Sequence, residues 1–156
     1  MHQPFHAPIA TARGAALAGV TLTDIRADEP VEALACATIY VCVTCRKPSD
    51  PEDGPRPGLT LAHATAAAAQ GTGVTVCEVE CLANCSRSLS AALRCNGSWT
   101  YVFGGLEADR DAEALIDGAR LLSQAQDGLL PWRGRPDILK RGLIARVPPL
   151  DFKDGD

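Results

Sequence analysis

The 156-residue chain lacks a long apolar run, since no stretch approaches the about 18 consecutive apolar residues of a membrane-spanning helix. It also lacks an excess of positive charge, because 15 basic and 19 acidic residues give a formal net charge of −4 at pH 7. Proteins that bind nucleic acids generally carry a basic surface. We therefore expect neither a membrane protein nor a general nucleic-acid-binding protein.

The N-terminal sequence lacks the features of a secretion signal. It opens MHQPFHAP, with no charged segment followed by an apolar one, and it contains no pair of consecutive arginines. The stretch from Gly14 to Leu22 is only weakly apolar, and Gly19 interrupts it. We therefore expect a cytoplasmic protein, in which thiols stay reduced and clustered cysteines serve as metal ligands or catalytic groups.

Seven cysteines are present in a chain long enough to fold without disulfide bonds. Four of them form two pairs: Cys42 and Cys45 in a C-x2-C motif, and Cys81 and Cys85 in a C-x3-C motif. Four thiolates brought together can hold an iron–sulfur cluster or a structural zinc ion. The spacing also leaves open a redox-active dithiol and a chain without a cofactor.

The hydrophobic pattern predicts where these pairs lie. Residues 1–36 show no clear period and indicate a flexible N-terminal tail, whereas residues 37–44 (ATIYVCVT) predict a buried strand. Four prolines in residues 46–58 predict a loop, residues 59–70 a helix and residues 74–80 a second strand. A strand–helix–strand unit implies a right-handed crossover and a parallel pair, so we expect both cysteine pairs at the carboxyl ends of adjacent strands.

The second half of the predicted domain contains a hairpin and a helix. Extended runs at residues 89–95 and 98–103 flank Asn96-Gly97, a strong hairpin signal. Asp109 is the expected cap of a helix that reaches about Gln126. The order β-α-β-β-β-α predicts a small α/β domain with a mixed sheet over residues 37–128.

Residues 129–156 form a distinct C-terminal extension. Positions 130–146 contain five basic residues and one acidic residue, a local net charge of 5 − 1 = +4 in an acidic protein. We expect apolar side chains of this segment to dock it on the domain. The charged residues are Arg133, Arg135, Lys140, Arg141 and Arg146 against Asp137, and the apolar residues are Trp132, Ile138, Leu139, Leu143 and Ile144.

The remaining cysteines and the histidines have simpler interpretations. Cys77 lies within a predicted strand and is expected to point into the sheet packing, and Cys36 and Cys95 are expected to be plain thiols. His2, His6 and His63 have no ligand-like neighbours. The proline-rich loop after Cys45 predicts that no helix dipole lowers the pKa of a thiol there, which disfavours the dithiol alternative.

Several motifs resemble known proteins. The element order and the second pair in VECLANC resemble the thioredoxin-like [2Fe–2S] ferredoxins, which are similar to the small cluster-bearing subunit of respiratory complex I and of bidirectional hydrogenases. VCVTCR, GSWTYVFG and DGLLPWRGRPDILKRGLIARVPPL more specifically resemble a bacterial family of predicted metal-binding proteins of unknown function, domain of unknown function 1636. The resemblance covers about residues 38–150. Members of that family often accompany genes for cobalamin biosynthesis and cobalt handling.

The resemblance implies a thioredoxin-like fold and a [2Fe–2S] cluster held by Cys42, Cys45, Cys81 and Cys85. It implies a one-electron carrier, linked to cobalamin or cobalt metabolism, that meets a redox partner protein; a homodimer is also left open. No side chain suggests a substrate-activating base or nucleophile, so we expect no enzyme. The alternatives are a zinc- or cobalt-binding metallochaperone that uses the same thiolates, and a thiol-disulfide oxidoreductase. SLSAAL lacks the proline that thioredoxins place beside their active cysteines, which disfavours the latter.

Overall fold

The computed structural model describes residues 37–153, so the predicted tail at residues 1–36 lies outside the described part of the chain. The described residues form one sheet and three α-helices, with a single 3₁₀ turn at Cys85–Arg87. The strands are β1 (Thr38–Cys42), β2 (Thr75–Val79), β3 (Leu89–Arg94), β4 (Thr100–Leu106) and β5 (Leu143–Val147), and the helices are α1 (Pro57–Ala68), α2 (Ala112–Ser123) and α3 (Asp137–Arg141).

The sheet has the order β2-β1-β3-β4-β5. β1 and β2 run parallel, whereas β3 is antiparallel to both β1 and β4, and β5 is antiparallel to β4. The crossover through α1 therefore produces the parallel pair that the sequence predicts. This arrangement confirms the predicted mixed α/β sheet with the element order β-α-β-β-β-α, which the C-terminal extension continues with α3 and β5.

The hairpin between β3 and β4 forms where Asn96-Gly97 predicts it. Gly97 has a φ of +70°, and the Ser98 N–H donates to the Cys95 carbonyl at 3.1 Å. Glycine suits this turn because a positive φ is strained in a residue with a β-carbon and costs little in glycine. Along β4, Tyr101 and Phe103 are buried.

Helix α2 packs one apolar face onto the sheet, but it begins later than predicted. Its first residue is Ala112, and Asp111 rather than Asp109 precedes it. The Asp111 carboxylate accepts a hydrogen bond from the Glu107 N–H at 2.7 Å, so it stabilises the preceding turn. The prediction of Asp109 as the cap was wrong because this local bond decides where the chain turns. The buried residues of α2 are Leu115, Ile116, Gly118, Ala119 and Leu122.

The C-terminal extension contributes a short helix and an edge strand that the periodicity did not predict. β5 is mostly exposed and has no alternating pattern, because it lies at the sheet edge and contacts the sheet through backbone pairing with β4. Leu139 of α3 is fully buried, so part of the apolar set contacts the core as predicted. Trp132 is 67% exposed and is not part of the buried core. No helix in residues 37–153 has the length and apolar character needed to cross a bilayer.

Candidate metal centre

The two cysteine pairs follow neighbouring parallel strands. Cys42 is the last residue of β1 and Cys45 lies in the turn after it, whereas Cys81 and Cys85 follow β2. Cys42 is paired with Val79 in the sheet register, so both turns leave the sheet at the same end. The expected placement of the pairs at adjacent carboxyl strand ends is therefore observed.

The first turn contacts the segment that leads into the second pair. The Cys42 thiol donates to the Glu80 carbonyl at 3.4 Å. The Thr44 hydroxyl donates to the same carbonyl. Since Glu80 immediately precedes Cys81, these bonds hold the C-x2-C turn beside the C-x3-C turn.

Cys45 and Cys85 line the same cavity. It has a volume of about 330 Å³, and its other lining residues include Arg46, Lys47 and Arg56. One cysteine from each pair thus faces a single space with three basic side chains. Positive charge at such a cavity favours an anionic sulfur-ligated group.

Two of the three basic side chains are already paired with carboxylates. Arg46 lies 3.3 Å from Glu52, and the Lys47 Nζ lies 2.5 Å from a carboxylate oxygen of Glu107. The ion pair between Lys47 and Glu107 joins the proline-rich loop to the residue that follows β4. Within residues 37–153, Arg56 forms no ion pair, so its charge is available to the cavity.

The two cysteines of the first pair have opposite pKa shifts. Burial, followed by the hydrogen bond to Cys42 and its charge, raises the pKa of Cys45 to about 12. Burial also raises the pKa of Cys42, but hydrogen bonds from Cys45, Thr44 and the backbone of Leu82 outweigh it, so this pKa lies below its usual value. Cys42 is the first of the pair to lose its proton.

The second pair lies in a more exposed turn that is shaped to receive negative charge on sulfur. Cys81 and Cys85 are both exposed, whereas Cys42 and Cys45 are buried. The Ala83 N–H donates to the Cys81 sulfur at 3.2 Å. Ala83 has a φ of +55°, a backbone conformation that costs free energy in a residue with a β-carbon. The strained backbone thus accompanies an N–H aimed at sulfur.

Two polar residues connect the pairs and were missed in the sequence. The Asn84 side-chain amide donates to the Ser90 hydroxyl at 3.0 Å, and Ser90 is fully buried at the start of β3. The backbone and side chain of Ser90 also hydrogen-bond Cys45. No spacing motif in the sequence marks a single serine in a buried strand as a functional residue. The contact between Ser90 and Cys45 is therefore seen only in the folded structure.

Helix α1 begins against the backbone of the first cysteine pair, although the proline-rich loop separates the two in the sequence. The proline-rich loop folds back, and the Gly58 N–H donates to the Cys45 carbonyl at 3.0 Å. Pro57 occupies the first turn, where a missing N–H costs nothing. The positive end of the helix dipole therefore lies beside the turn that carries Cys42 and Cys45.

The other described candidates, Cys77, Cys95 and His63, do not line the cavity. Cys77 is partly buried and is paired with Tyr40 in the sheet register. Cys95 is disulfide-bonded, so its interpretation as a plain thiol was wrong, because a position beside a hairpin turn does not show whether a second sulfur lies close by. His63 lies 3.6 Å from Glu78, while Cys36, His2 and His6 lie outside the described residues.

A family model described as "Protein of unknown function (DUF1636)" matches residues 39–149. Among solved structures, a thioredoxin-like [2Fe–2S] ferredoxin from Aquifex aeolicus is similar at 17% sequence identity, with a TM-score of 0.45, over 74% of this chain and 97% of that chain. No curated protein matches the chain.

Proposed function

We propose that this chain, which belongs to the DUF1636 family of proteins of unknown function, is a ferredoxin-like one-electron carrier with a [2Fe–2S] cluster. The proposed ligands are Cys42, Cys45, Cys81 and Cys85. The observation that carries the proposal is the cavity that Cys45 and Cys85 line together with basic side chains. The cluster, when bound, would accept and release one electron.

The arrangement of the proposed ligands as two pairs supports a two-iron cluster rather than a single ion. One zinc ion needs four sulfurs about 2.3 Å from a common centre. A [2Fe–2S] cluster takes two sulfurs on each iron, so the two pairs need only flank it.

The surrounding residues support an anionic cofactor. Among the basic residues that line the cavity, Arg56 supplies a positive charge that no described carboxylate pairs, and the Ala83 N–H already donates to the Cys81 sulfur. Hydrogen bonds to sulfur and nearby charge are the features by which proteins set the potential of such clusters. Among the described residues that line the cavity, none is a histidine or a carboxylate, so we propose a carrier rather than an enzyme.

The partner proposed for this carrier is a redox protein, either a reductase or an acceptor enzyme. The sulfur ligands at the exposed turn, Cys81 and Cys85, would lie on the side from which an electron arrives or leaves. The cytoplasmic location and the link to cobalamin or cobalt metabolism stay predictions, the latter resting on the family resemblance alone.

The proposal is tested by purifying the full chain anaerobically. We expect a reddish-brown protein with visible absorption bands, about two irons and two sulfides per chain, and an electron paramagnetic resonance signal after reduction. A colourless chain that binds one zinc or cobalt ion after attempted cluster reconstitution would instead support the metallochaperone alternative. A chain that binds no metal but cycles between dithiol and disulfide would support the oxidoreductase.

Variants test the ligand set. Cys45→Ser and Cys85→Ser should each abolish cluster retention, because each removes one sulfur at the shared cavity. Cys77→Ser is the matched control, since Cys77 lies on β2 only four residues before Cys81 and does not line the cavity. Equal iron loss in all three variants would show that the ligands are assigned incorrectly.

A further inference from the structure

A second cavity of about 730 Å³ lies beside the C-terminal extension. Tyr101, near the start of β4, forms part of its wall. β4 runs in the same direction as β1, because both are antiparallel to β3. Tyr101 therefore lies at the end of the sheet where β1 begins, and Cys42 lies at the opposite end. The cavity is a separate site, with a volume in the range of small-molecule pockets.

The cavity contains a buried cation that no carboxylate neutralises. Arg135 is 7% exposed, and its Nε donates to the Pro131 carbonyl at 3.2 Å. A terminal nitrogen of Arg135 donates to the Leu130 carbonyl. Within residues 37–153 it forms no ion pair. Burying a charge without an opposite charge is costly, which favours an anion at this place.

A second guanidinium faces the same space. Arg146 of β5 also lines the cavity and lies over the Trp99 ring, 4.8 Å from its centroid. Burial lowers the pKa of Arg135, Tyr101 raises it, and the positive charge of Arg146 lowers it further. Asp127 is the acidic residue of the lining, and its carboxylate accepts from the Leu129 N–H at 3.0 Å. The lining therefore contains two cations and one carboxylate, which leaves it with a net positive charge.

The rest of the lining is largely apolar and aromatic. Trp132 is 67% exposed and lies 5.5 Å from the Arg135 guanidinium carbon, measured to its ring centroid. Leu121, Leu129 and Leu143 complete this wall. The Lys140 Nζ lies 5.7 Å from the same ring centroid, so the exposed part of this ring and the leucines together supply the apolar contact for a ligand.

We propose that this cavity binds a small organic oxyanion with a flat apolar body. The carboxylate or sulfonate of the ligand pairs with Arg135 and Arg146, and its body lies against Trp132 and the leucines. Bidentate pairing of a guanidinium with an oxyanion supplies direction as well as affinity. This site is independent of the proposed cluster.

A matched pair of probes tests the proposal on the full chain as purified. The anionic probe is 8-anilinonaphthalene-1-sulfonate, and the neutral probe is N-phenyl-1-naphthylamine, which has the same rings without the sulfonate. Equilibrium dialysis measures binding of each without interference from a coloured cofactor. We expect one molecule of the anionic probe per chain, bound about tenfold more tightly than the neutral probe.

Three variants locate the binding. Arg146→Gln should weaken the anionic probe about tenfold and leave the neutral probe unchanged, whereas Trp132→Ala should weaken both. Arg141→Gln is the control, because it removes the same charge from α3 at a residue that does not line the cavity. Equal affinity for both probes, no one-to-one binding of the anionic probe, or an equal loss in Arg146→Gln and Arg141→Gln would overturn the proposal.

Discussion

Gly58 packs directly against the backbone of Cys42. A β-carbon at position 58 would come within 2.3 Å of the Cys42 carbonyl oxygen and 3.0 Å of the Cys45 amide nitrogen. The absence of a side chain is therefore what lets α1 begin against the first cysteine pair. Both neighbours are backbone atoms, so a rotamer change in a flexible side chain offers no relief.

Gly58→Ala should therefore displace the turn that carries Cys42 and Cys45. We expect a loss of about 1–3 kcal/mol in the free energy of unfolding, as for other overpacked sites, together with reduced iron content after reconstitution. Denaturant unfolding and iron analysis measure the two effects. Gly54→Ala is the control in the same loop, since its β-carbon would meet nothing closer than 3.6 Å. Equal stability of both variants would contradict the close approach.

Ser90→Ala should loosen the connection between the two cysteine pairs. It removes the acceptor of the Asn84 amide and a hydrogen bond to Cys45 in a fully buried setting. Leaving a buried polar group unpaired costs about 1–3 kcal/mol, and we expect faster cluster loss on exposure to a chelator. Ser123→Ala, which removes an exposed hydroxyl bonded to Arg120, is the control. Chelator-driven loss at the same rate in both variants would refute the bridging role of Ser90.

Arg56→Gln should lower the reduction potential of the loaded protein. Reduction adds a negative charge, and Arg56 supplies the positive charge at the cavity that no described carboxylate already pairs. A redox titration followed by electron paramagnetic resonance measures the shift, which we expect to be tens of millivolts. Arg120→Gln, in the last turn of α2, removes an equal charge away from the cavity. An equal shift in both variants would indicate a general charge effect.

The four proposed ligands should react with iodoacetamide at different rates in the cluster-free chain. Cys81 and Cys85 are exposed, so we expect them to be modified at least about tenfold faster than Cys45, which is buried and whose pKa is raised to about 12. Mass spectrometry of timed digests gives the order, and the chain unfolded in guanidinium should lose the difference. Modification of Cys45 as fast as Cys85 in the folded chain would contradict its burial.

Local patterns in the sequence predicted most of the fold. The β-branched run before Cys42, the alanine-rich helix and Asn96-Gly97 each describe their own secondary structure, because period and turn chemistry act over a few residues. β5 was not predicted because it is an edge strand held by backbone pairing. Its side chains are mostly exposed, so they show no alternating apolar pattern in the sequence. The predicted start of α2 was wrong because Asp109 and Asp111 are both plausible caps in the sequence. Only the structure shows that the Asp111 carboxylate accepts the hydrogen bond from the Glu107 N–H.

By itself, the sequence determined two cysteine pairs and a crossover that brings them to one end of a mixed sheet. Only the tertiary structure decided that Cys45 and Cys85 share a cavity, that Ser90 connects Cys45 to Asn84, and that Arg135 is buried with no carboxylate of residues 37–153 paired to it. Spacing and periodicity describe residues close in the chain, whereas these contacts join residues that only packing brings together. Which side chains are buried and which charges are paired can therefore be read only from the folded structure.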